Sequence, residues 1–191
     1  MNTREICRWI EENPRRLQII TTLKQPVTAR QLAHRYTIDL DRAGFTFWEL
    51  GIRHLVECLN RSARNSRLYW LTAAGRRCQA RLRRRLLLHS LVHDVPGVDW
   101  DLYGWVCFRH RSAIIRALEE PLQPAVIKRR ARQRDHTLRM SANNVRDVIK
   151  LFLQRGVARR VFIPRERHPR YELTETGRAF RRLIIGAEVA G

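Results

Sequence analysis

The sequence has few lysines, few acidic residues and no paired cysteines. Three lysines stand among 38 basic residues, and the four cysteines form no C-x-x-C pair. That spacing argues against a zinc knuckle and against a redox motif, so we expect reduced, mostly buried thiols. No stretch approaches the roughly 18 consecutive apolar residues of a membrane span, and the first residues lack the apolar run of a signal peptide. We therefore expect no membrane partner.

Sequence motifs of catalysis are missing as well. The chain has no Gly-rich phosphate loop and no nucleophile elbow of the Ser-His-Asp type. Asp99 and Asp101 are better explained as caps or as solvated linker residues than as a pair of catalytic carboxylates. These absences argue against an enzyme, and we expect no cofactor and no metal.

Positive charge is what the sequence has in excess. It carries 38 basic and 18 acidic residues, a net charge of +20, shared equally between residues 1–98 and 99–191. Such a surplus attracts polyanions, so we expect nucleic acid as the partner and a cytoplasmic, nucleoid-associated location. Arginine suits phosphate and guanine edges. A biased genomic base composition would also produce this preference for arginine.

An internal repeat organises the chain. The pattern Leu-Thr-x-x-Gly-Arg occurs at residues 71–76 and again at residues 173–178, and residues 19–23 resemble residues 114–118. Because the matches keep their order, they indicate two copies of one fold. The Pro-Gly pair at residues 96–97 is typical of a linker. We therefore predict three regions: a first domain over residues 1–93, a linker over 94–101 and a second domain over 102–191.

Hydrophobic spacing and capping residues predict the same order of elements in both copies. The first copy is predicted to contain helices beginning near Asn2 and at Pro14, a short extended stretch at 26–28, helices over 29–35 and 46–59, a strand over 68–71 and a helix over 73–93. The second copy is predicted to contain helices over 111–118, 124–131 and 142–154, and a hairpin of strands at 157–163 and 170–173.

The segment from Arg165 to Arg178 resembles the wing and following helix of MarR-type and related bacterial and archaeal winged-helix regulators. The resemblance extends over about residues 105–186 and is weaker over residues 3–93. It implies a mainly α fold with small β-hairpin wings, in which two winged helix-turn-helix domains are joined by a long helix and a short linker. It also implies a helix in the major groove of double-stranded DNA and an Arg-rich wing on the minor groove or the phosphates.

The residues expected to contact DNA fall into three groups. The face of helix 142–154 opposite its apolar stripe is expected to read bases through Asn143, Asn144, Arg146 and Lys150. Backbone and wing contacts are expected from Lys128, Arg129, Arg130, Arg132, Arg134, Arg139, Arg159, Arg160, Arg165, Arg167 and Arg170. Contacts of the first domain are expected from Arg53, His54, Arg61, Arg64 and Arg67.

The second copy is the stronger candidate for DNA binding. Residues 128–170 hold 14 basic and 3 acidic side chains, and neutralising about 8 phosphates would give a slope of log K against log salt of about −7. In the first copy, residues 60–67 leave little room for a full wing, so that copy is expected to contact DNA backbone or protein.

Sequence-specific DNA binding in transcriptional regulation is the function predicted first. A plasmid or phage replication or partition factor is an alternative, as is an RNA-binding or protein-interaction winged-helix subunit. Helix 73–93 is a candidate surface for a homodimer or protein partner. The aromatic cluster of Phe45, Phe47 and Trp48 is expected to be core or partner surface rather than a platform for bases.

Overall fold

The computed structural model describes residues 2–86, 97–164, 166 and 168–188. The chain divides into two compact units: unit 1 comprises residues 1–105 with residues 187–191, and unit 2 comprises residues 106–186. In the described residues the fold is mainly helical, with ten helices and two small antiparallel sheets.

Unit 1 begins with two helices and has a three-stranded sheet, in which the strand that comes last in the sequence lies between the other two. In chain order its elements are α1 (Thr3–Glu11), α2 (Pro14–Thr22), β1 (Val27–Thr28), α3 (Ala29–Tyr36), α4 (Leu40–Ile52), β2 (Val56–Cys58), β3 (Leu68–Leu71), α5 (Ala73–Arg85) and α6 (Trp100–Val106), the last residue of which belongs to unit 2.

Local sequence signals determine where the first helices begin. Asn2 and Glu5 form a capping box, and Pro14 occupies the first turn of α2, where its missing N–H costs no hydrogen bond. Thr28 caps α3 by accepting a hydrogen bond from the backbone N–H of Gln31 at 3.2 Å. The starts predicted near Asn2 and at Pro14 are confirmed.

The helix predicted over residues 46–59 is wrong at both ends, since α4 covers Leu40–Ile52. His54 adopts a left-handed backbone conformation, with φ of 53°. The N–H of Leu55 then donates to the carbonyl of Leu50 at 2.9 Å, which closes the helix. Leu55 and Val56 are buried where the chain enters β2. These apolar residues happen to continue the helical spacing of α4, but they pack at the start of a strand. Arg53 and His54 therefore lie in a turn and not in a helix.

Unit 1 also contains a complete hairpin, contrary to the prediction of little room for one. Strands β2 and β3 pair antiparallel, with Val56 opposite Leu71. Residues 59–67 connect them, a loop of about the same length as residues 162–169 in unit 2. Helix α5 ends at Arg85, and residues 87–93 of the helix predicted over 73–93 lie outside the described residues.

The division after Trp105 lies beyond the linker predicted at 94–101, of which residues 94–96 lie outside the described residues. The reason is that the residues before the division pack into unit 1. Tyr103 is fully buried and its hydroxyl accepts a hydrogen bond from Gln31 at 3.4 Å. Gly104 approaches Asn60 so closely that a Cβ atom would lie 2.2 Å from its Nδ2 atom.

Unit 2 follows the order of elements that unit 1 has from α2 to α5. It contains α7 (Arg109–Ala117), α8 (Pro124–Arg134), α9 (Ala142–Gln154), β4 (Ala158–Val161), β5 (Arg170–Leu173) and α10 (Glu175–Glu188), the last two residues of which belong to unit 1. Strands β4 and β5 pair antiparallel. Leu122 and Tyr171 exchange two backbone hydrogen bonds of 2.9 Å, which is the counterpart of the pairing between Val27 and Tyr69 in unit 1.

The repeated Leu-Thr-x-x-Gly-Arg pattern makes one hydrogen-bonded junction in unit 1. Thr72 caps α5 by accepting from the N–H of Gly75 at 3.1 Å, and its hydroxyl donates to the carbonyl of His54 at 2.6 Å. The Arg76 guanidinium donates to the carbonyl of Leu71 at 2.8 Å. These bonds join the start of α5 to the turn that follows α4.

The same junction recurs in unit 2. Thr174 accepts from the N–H of Gly177 at 3.2 Å and donates to the carbonyl of Gly156 at 2.6 Å. Arg178 donates to the carbonyl of Leu173 at 2.9 Å. The repeated Leu-Thr-x-x-Gly-Arg pattern therefore has a structural role, because its hydrogen bonds hold the turns after α4 and α9 against the ends of the hairpins that follow.

Candidate nucleic-acid interface

Helix α9 begins at a capping box and separates its residues into two faces. Ser141 accepts a hydrogen bond from the N–H of Asn144 at 3.1 Å, as its predicted role as N-cap requires. One face is buried in the core of unit 2 through Val145, Val148, Ile149 and Phe152. The opposite face is exposed and carries Asn143, Arg146, Asp147 and Lys150. A polar, mostly cationic helix surface therefore points away from the core.

Asn144 has a structural role that conflicts with its predicted role in reading adenine. Its Oδ1 atom accepts from the N–H of Ser141 at 2.9 Å and from the hydroxyl of Ser141 at 2.8 Å. A bidentate contact with adenine needs that oxygen as an acceptor, and both of its lone pairs are engaged. Asn143 makes no such cap, and its Oδ1 atom accepts from Arg146 at 3.3 Å on the exposed surface.

A cavity of about 470 Å³ lies between α9 and the unit 2 hairpin of β4 and β5. Arg146 and Lys150 line it from the helix, and Arg160 and His168 line it from the hairpin. In the described residues no carboxylate forms an ion pair with Arg146, Lys150 or Arg160. The cavity is therefore suited to an anion.

A second cavity, of about 530 Å³, lies between α8 and the start of α9. It is lined by Lys128, Arg129 and Arg132 from α8, and also by His136. Ala125 lines both cavities, so they are adjacent. The exposed face of α9 is thus bordered by basic residues on the side of α8 and on the side of the hairpin.

Four of the arginines predicted to contact phosphates are already paired with carboxylates. The distances between their guanidinium nitrogens and the carboxylate oxygens are 2.5 to 3.0 Å for Arg130 with Glu120, Arg134 with Glu119, Arg159 with Glu172 and Arg170 with Glu166. Their predicted phosphate contacts would compete with these pairs. Arg139 is exposed, and Arg165 and Arg167 lie outside the described residues.

Two of these pairs perturb the titration of their acids. The hydrogen bond from Arg134 lowers the pKa of Glu119, and the hydrogen bond from Arg170 lowers the pKa of Glu166. Both carboxylates are therefore ionised at neutral pH, and Glu119 neutralises part of the charge surplus of residues 128–170, in which Glu166 is already counted. The cations of the two cavities have no such partner among the described residues.

The equivalent helix of unit 1 has a different surface. Phe45, Trp48 and Ile52 are each exposed by close to three fifths, and Leu40 is exposed by 45 %. Phe47, the third member of the predicted aromatic cluster, is fully buried and stacks on Tyr69 with ring centroids 4.4 Å apart. Phe47 therefore belongs to the core, whereas Phe45 and Trp48 lie on the surface, and the sequence predicts either core or partner surface for the cluster.

The predicted DNA contacts of unit 1 are not gathered on one helix. The Arg53 guanidinium lies over the ring of Trp9, 4.0 Å from its centroid. Arg61, Arg64 and Arg67 lie in the loop of residues 59–67, and Arg67 donates to the carbonyl of Ala63 at 3.3 Å. The structure places these arginines at the hairpin end of unit 1.

Sequence reasoning missed several residues of the unit 2 interface. Gln123, His136, Asp147 and His168 lie beside the predicted cations, on the cavity walls or on the exposed face of α9. The two histidines flank runs of arginine in the sequence, which was the available signal. The part played by Gln123 depends on the fold, because α8 brings it beside the hairpin, where it donates to Glu166 at 3.3 Å.

Comparison of the chain with protein-family models, with curated proteins and with solved structures finds no match. Among the described helices none is long and apolar enough to cross a membrane. Within the same residues no group of three His, Cys, Asp or Glu side chains could hold a metal ion. Burial raises the pKa of Cys78 to about 12, which keeps this residue a thiol at neutral pH.

Proposed function

We propose that unit 2 binds double-stranded DNA, with α9 in the major groove and the hairpin of β4 and β5 as a wing on the adjacent backbone. The observation that carries the proposal is the exposed polar face of α9 between two cavities lined by cations that pair with no carboxylate of the described residues. An α-helix fits the major groove of DNA. The basic residues of the two cavities, one on each side of α9, would then lie near the two phosphate strands that border the groove.

The order of elements supports the same proposal. Helix, extended residue, helix, helix, hairpin and helix is the order of a winged helix-turn-helix, and both units follow it. In this arrangement α8 and α9 are the helix-turn-helix pair. Asn143, Arg146 and Lys150 would read base edges, and Lys128, Arg129, Arg132, Arg139 and Arg160 would contact phosphates.

The number of unpaired cations sets the expected salt dependence. Because four arginines are ion-paired, about five phosphate contacts remain, and log K should fall against log salt with a slope of about −5 rather than the steeper value expected from the sequence. Titration of a random-sequence duplex at several salt concentrations measures this slope. A slope close to zero would exclude the interface.

A competition experiment tests the class of nucleic acid. Duplex DNA, single-stranded DNA and duplex RNA of equal length compete for the full chain at one salt concentration. We expect duplex DNA to bind most tightly, because the deep and narrow major groove of RNA does not admit a helix. A preference for RNA would replace the proposal with the RNA-binding alternative.

We further propose that the bound sequences are operators through which the protein regulates transcription. Selection of bound sequences from a random duplex pool identifies the site, and a protection footprint on the source DNA locates it. A single operator at a promoter supports regulation. Repeated sites at a replication origin would instead favour a replication or partition factor.

A further inference from the structure

The exposed face of α4 in unit 1 is an apolar stripe. Phe45, Trp48 and Ile52 are exposed by 58 %, 59 % and 58 %, and they follow the three- and four-residue spacing of one helix face. The rings of Phe45 and Trp48 lie 5.3 Å apart. Three large apolar side chains that share one exposed face are typical of a surface that binds another protein.

Two glycines in α4 lie on the same face, and no packing within unit 1 requires their lack of a side chain. A Cβ atom built on Gly44 or Gly51 meets nothing within 4 Å, whereas one built on Gly75 would collide with a backbone carbonyl. Glycine inside a helix is less stable than alanine unless something approaches its backbone closely. Gly44, Trp48 and Gly51 follow helical spacing, so the two glycines form shallow depressions on either side of a large aromatic side chain.

The ends of this stripe carry opposite charge. Asp41 is exposed in the first turn of α4, where the neighbouring Asp39 pairs with Arg42 at 3.4 Å, and Arg53 and His54 follow the last residue of the helix. Positions 41 and 54 are symmetric about the middle of the stripe, as are the glycine positions 44 and 51. A second copy of the helix running antiparallel would therefore place Asp41 near the basic end of its partner.

We propose that α4 pairs with α4 of a second copy of this chain in an antiparallel, two-fold symmetric dimer. Gly44 of each copy then lies opposite Gly51 of the other, and Trp48 lies close to the symmetry axis. The pairing places the glycine depressions of the two helices against each other, so the helices can approach closely, and it matches acidic ends to basic ends and opposed helix dipoles to one another. A surface with these properties is complementary to itself.

Sedimentation of the full chain without nucleic acid tests the dimer directly. We expect the wild type to be dimeric and the Phe45→Ala/Trp48→Ala variant to associate at least tenfold more weakly. Phe162→Ala is the matched control, because Phe162 is 75 % exposed but lies in unit 2, and its dimer should be unchanged. A wild type that stays monomeric up to about 100 μM would overturn the proposal.

Replacing the glycines separates association from folding. Gly44→Ala/Gly51→Ala should raise the midpoint of thermal unfolding when combined with Phe45→Ala/Trp48→Ala, because the isolated helix gains stability. In the otherwise wild-type chain the same change should weaken the dimer at least tenfold, because the depressions are filled. A dimer unaffected by the added methyl groups would contradict the close approach of the two helices.

A charge exchange tests the orientation of the pair. Asp41→Arg should weaken the dimer, and the second change His54→Asp should restore part of the lost affinity, because the two positions face each other only in the antiparallel arrangement. Absence of any restoration would overturn the antiparallel pairing.

Discussion

Helices α4 and α9 occupy the same place in two units of the same element order, yet their outward faces differ in chemistry. The face of α9 carries amide and cationic groups between basic cavities, whereas that of α4 carries two aromatic rings, isoleucine and glycine. Each helix is followed by a left-handed residue and by the same junction of threonine, glycine and arginine. The supporting frame and the exposed surface of these helices are therefore specified by different residues.

The glycines of the two junctions should give the largest effects and should behave alike. A Cβ atom on Gly75 would lie 2.0 Å from the carbonyl oxygen of Leu55, and one on Gly177 would lie 2.1 Å from that of Val157. We expect Gly75→Ala and Gly177→Ala each to lower the free energy of unfolding by about 3 kcal/mol or more, because rigid backbone atoms must move. Denaturant unfolding followed by circular dichroism measures this. Gly44→Ala, whose added methyl group meets open space within unit 1, is the control when it is made in the Phe45→Ala/Trp48→Ala variant, where the proposed dimer makes no contribution. Unequal costs at the two junctions would break their equivalence.

Removing two cations from the cavity between α8 and α9 should show whether unit 2 is the unit that binds DNA. Arg129→Ala/Arg132→Ala should weaken binding to every duplex by about 2 kcal/mol and reduce the salt slope by about 2, because two phosphate contacts are lost. Fluorescence anisotropy at several salt concentrations measures both quantities. Arg130→Ala, on the same helix but paired with Glu120, is the matched control and should change binding little.

The unit 1 loop provides the second half of that test. Arg61→Ala/Arg64→Ala should leave duplex affinity almost unchanged if DNA binding belongs to unit 2. An effect as large as that of the unit 2 variant would show that both units contact DNA.

The two neighbouring asparagines of α9 should separate base reading from capping. Asn143→Ala should cost about 1 to 3 kcal/mol at one base position and leave stability nearly unchanged. Asn144→Ala should instead lower stability by about 1 kcal/mol, because the capping box is lost, and preserve the order of preferred sequences. Binding to a set of single-base variants of the selected site, together with thermal unfolding, measures both effects. The reverse outcome would restore Asn144 as the base-reading residue.

The second residue after each helix gives the smallest expected effect. His54 and Gly156 have φ of 53° and 66°, a region that glycine adopts without strain. We expect His54→Gly to raise the free energy of unfolding by about 1 kcal/mol, which would make this turn of unit 1 like that of unit 2. Chemical denaturation measures the change, with Gly156→Ala as the opposite substitution. A loss of stability in His54→Gly would mean that the imidazole makes a contact worth more than the backbone strain.

Capping residues and repeats allowed much of the fold to be predicted from the sequence. Helix α9 and strand β5 begin and end where predicted, because Ser141 and Gly156 mark the limits of the helix and Arg170 follows a turn. Helix α4 was misplaced because His54 terminates it in a conformation that nothing in a histidine indicates. The apolar residues after it then continued a helical spacing although they belong to β2.

The candidate site was predicted in composition but not in detail. Its cations were found from charge density, which does not reveal which of them are neutralised. The pairing of Arg134 with Glu119 joins residues 15 positions apart, and that of Arg159 with Glu172 depends on the register of the hairpin. Such pairs become visible only when the chain is folded.

The junction of threonine, glycine and arginine acts largely through backbone carbonyl and amide groups. Bonds of that kind do not depend on which side chains the preceding helix presents to the outside. The exposed residues of α9 could therefore be transplanted onto α4, or the reverse, without disturbing the joint that holds either helix. For protein engineering, the two units therefore offer the same helix attachment twice, and the exposed side chains of each helix can be chosen separately.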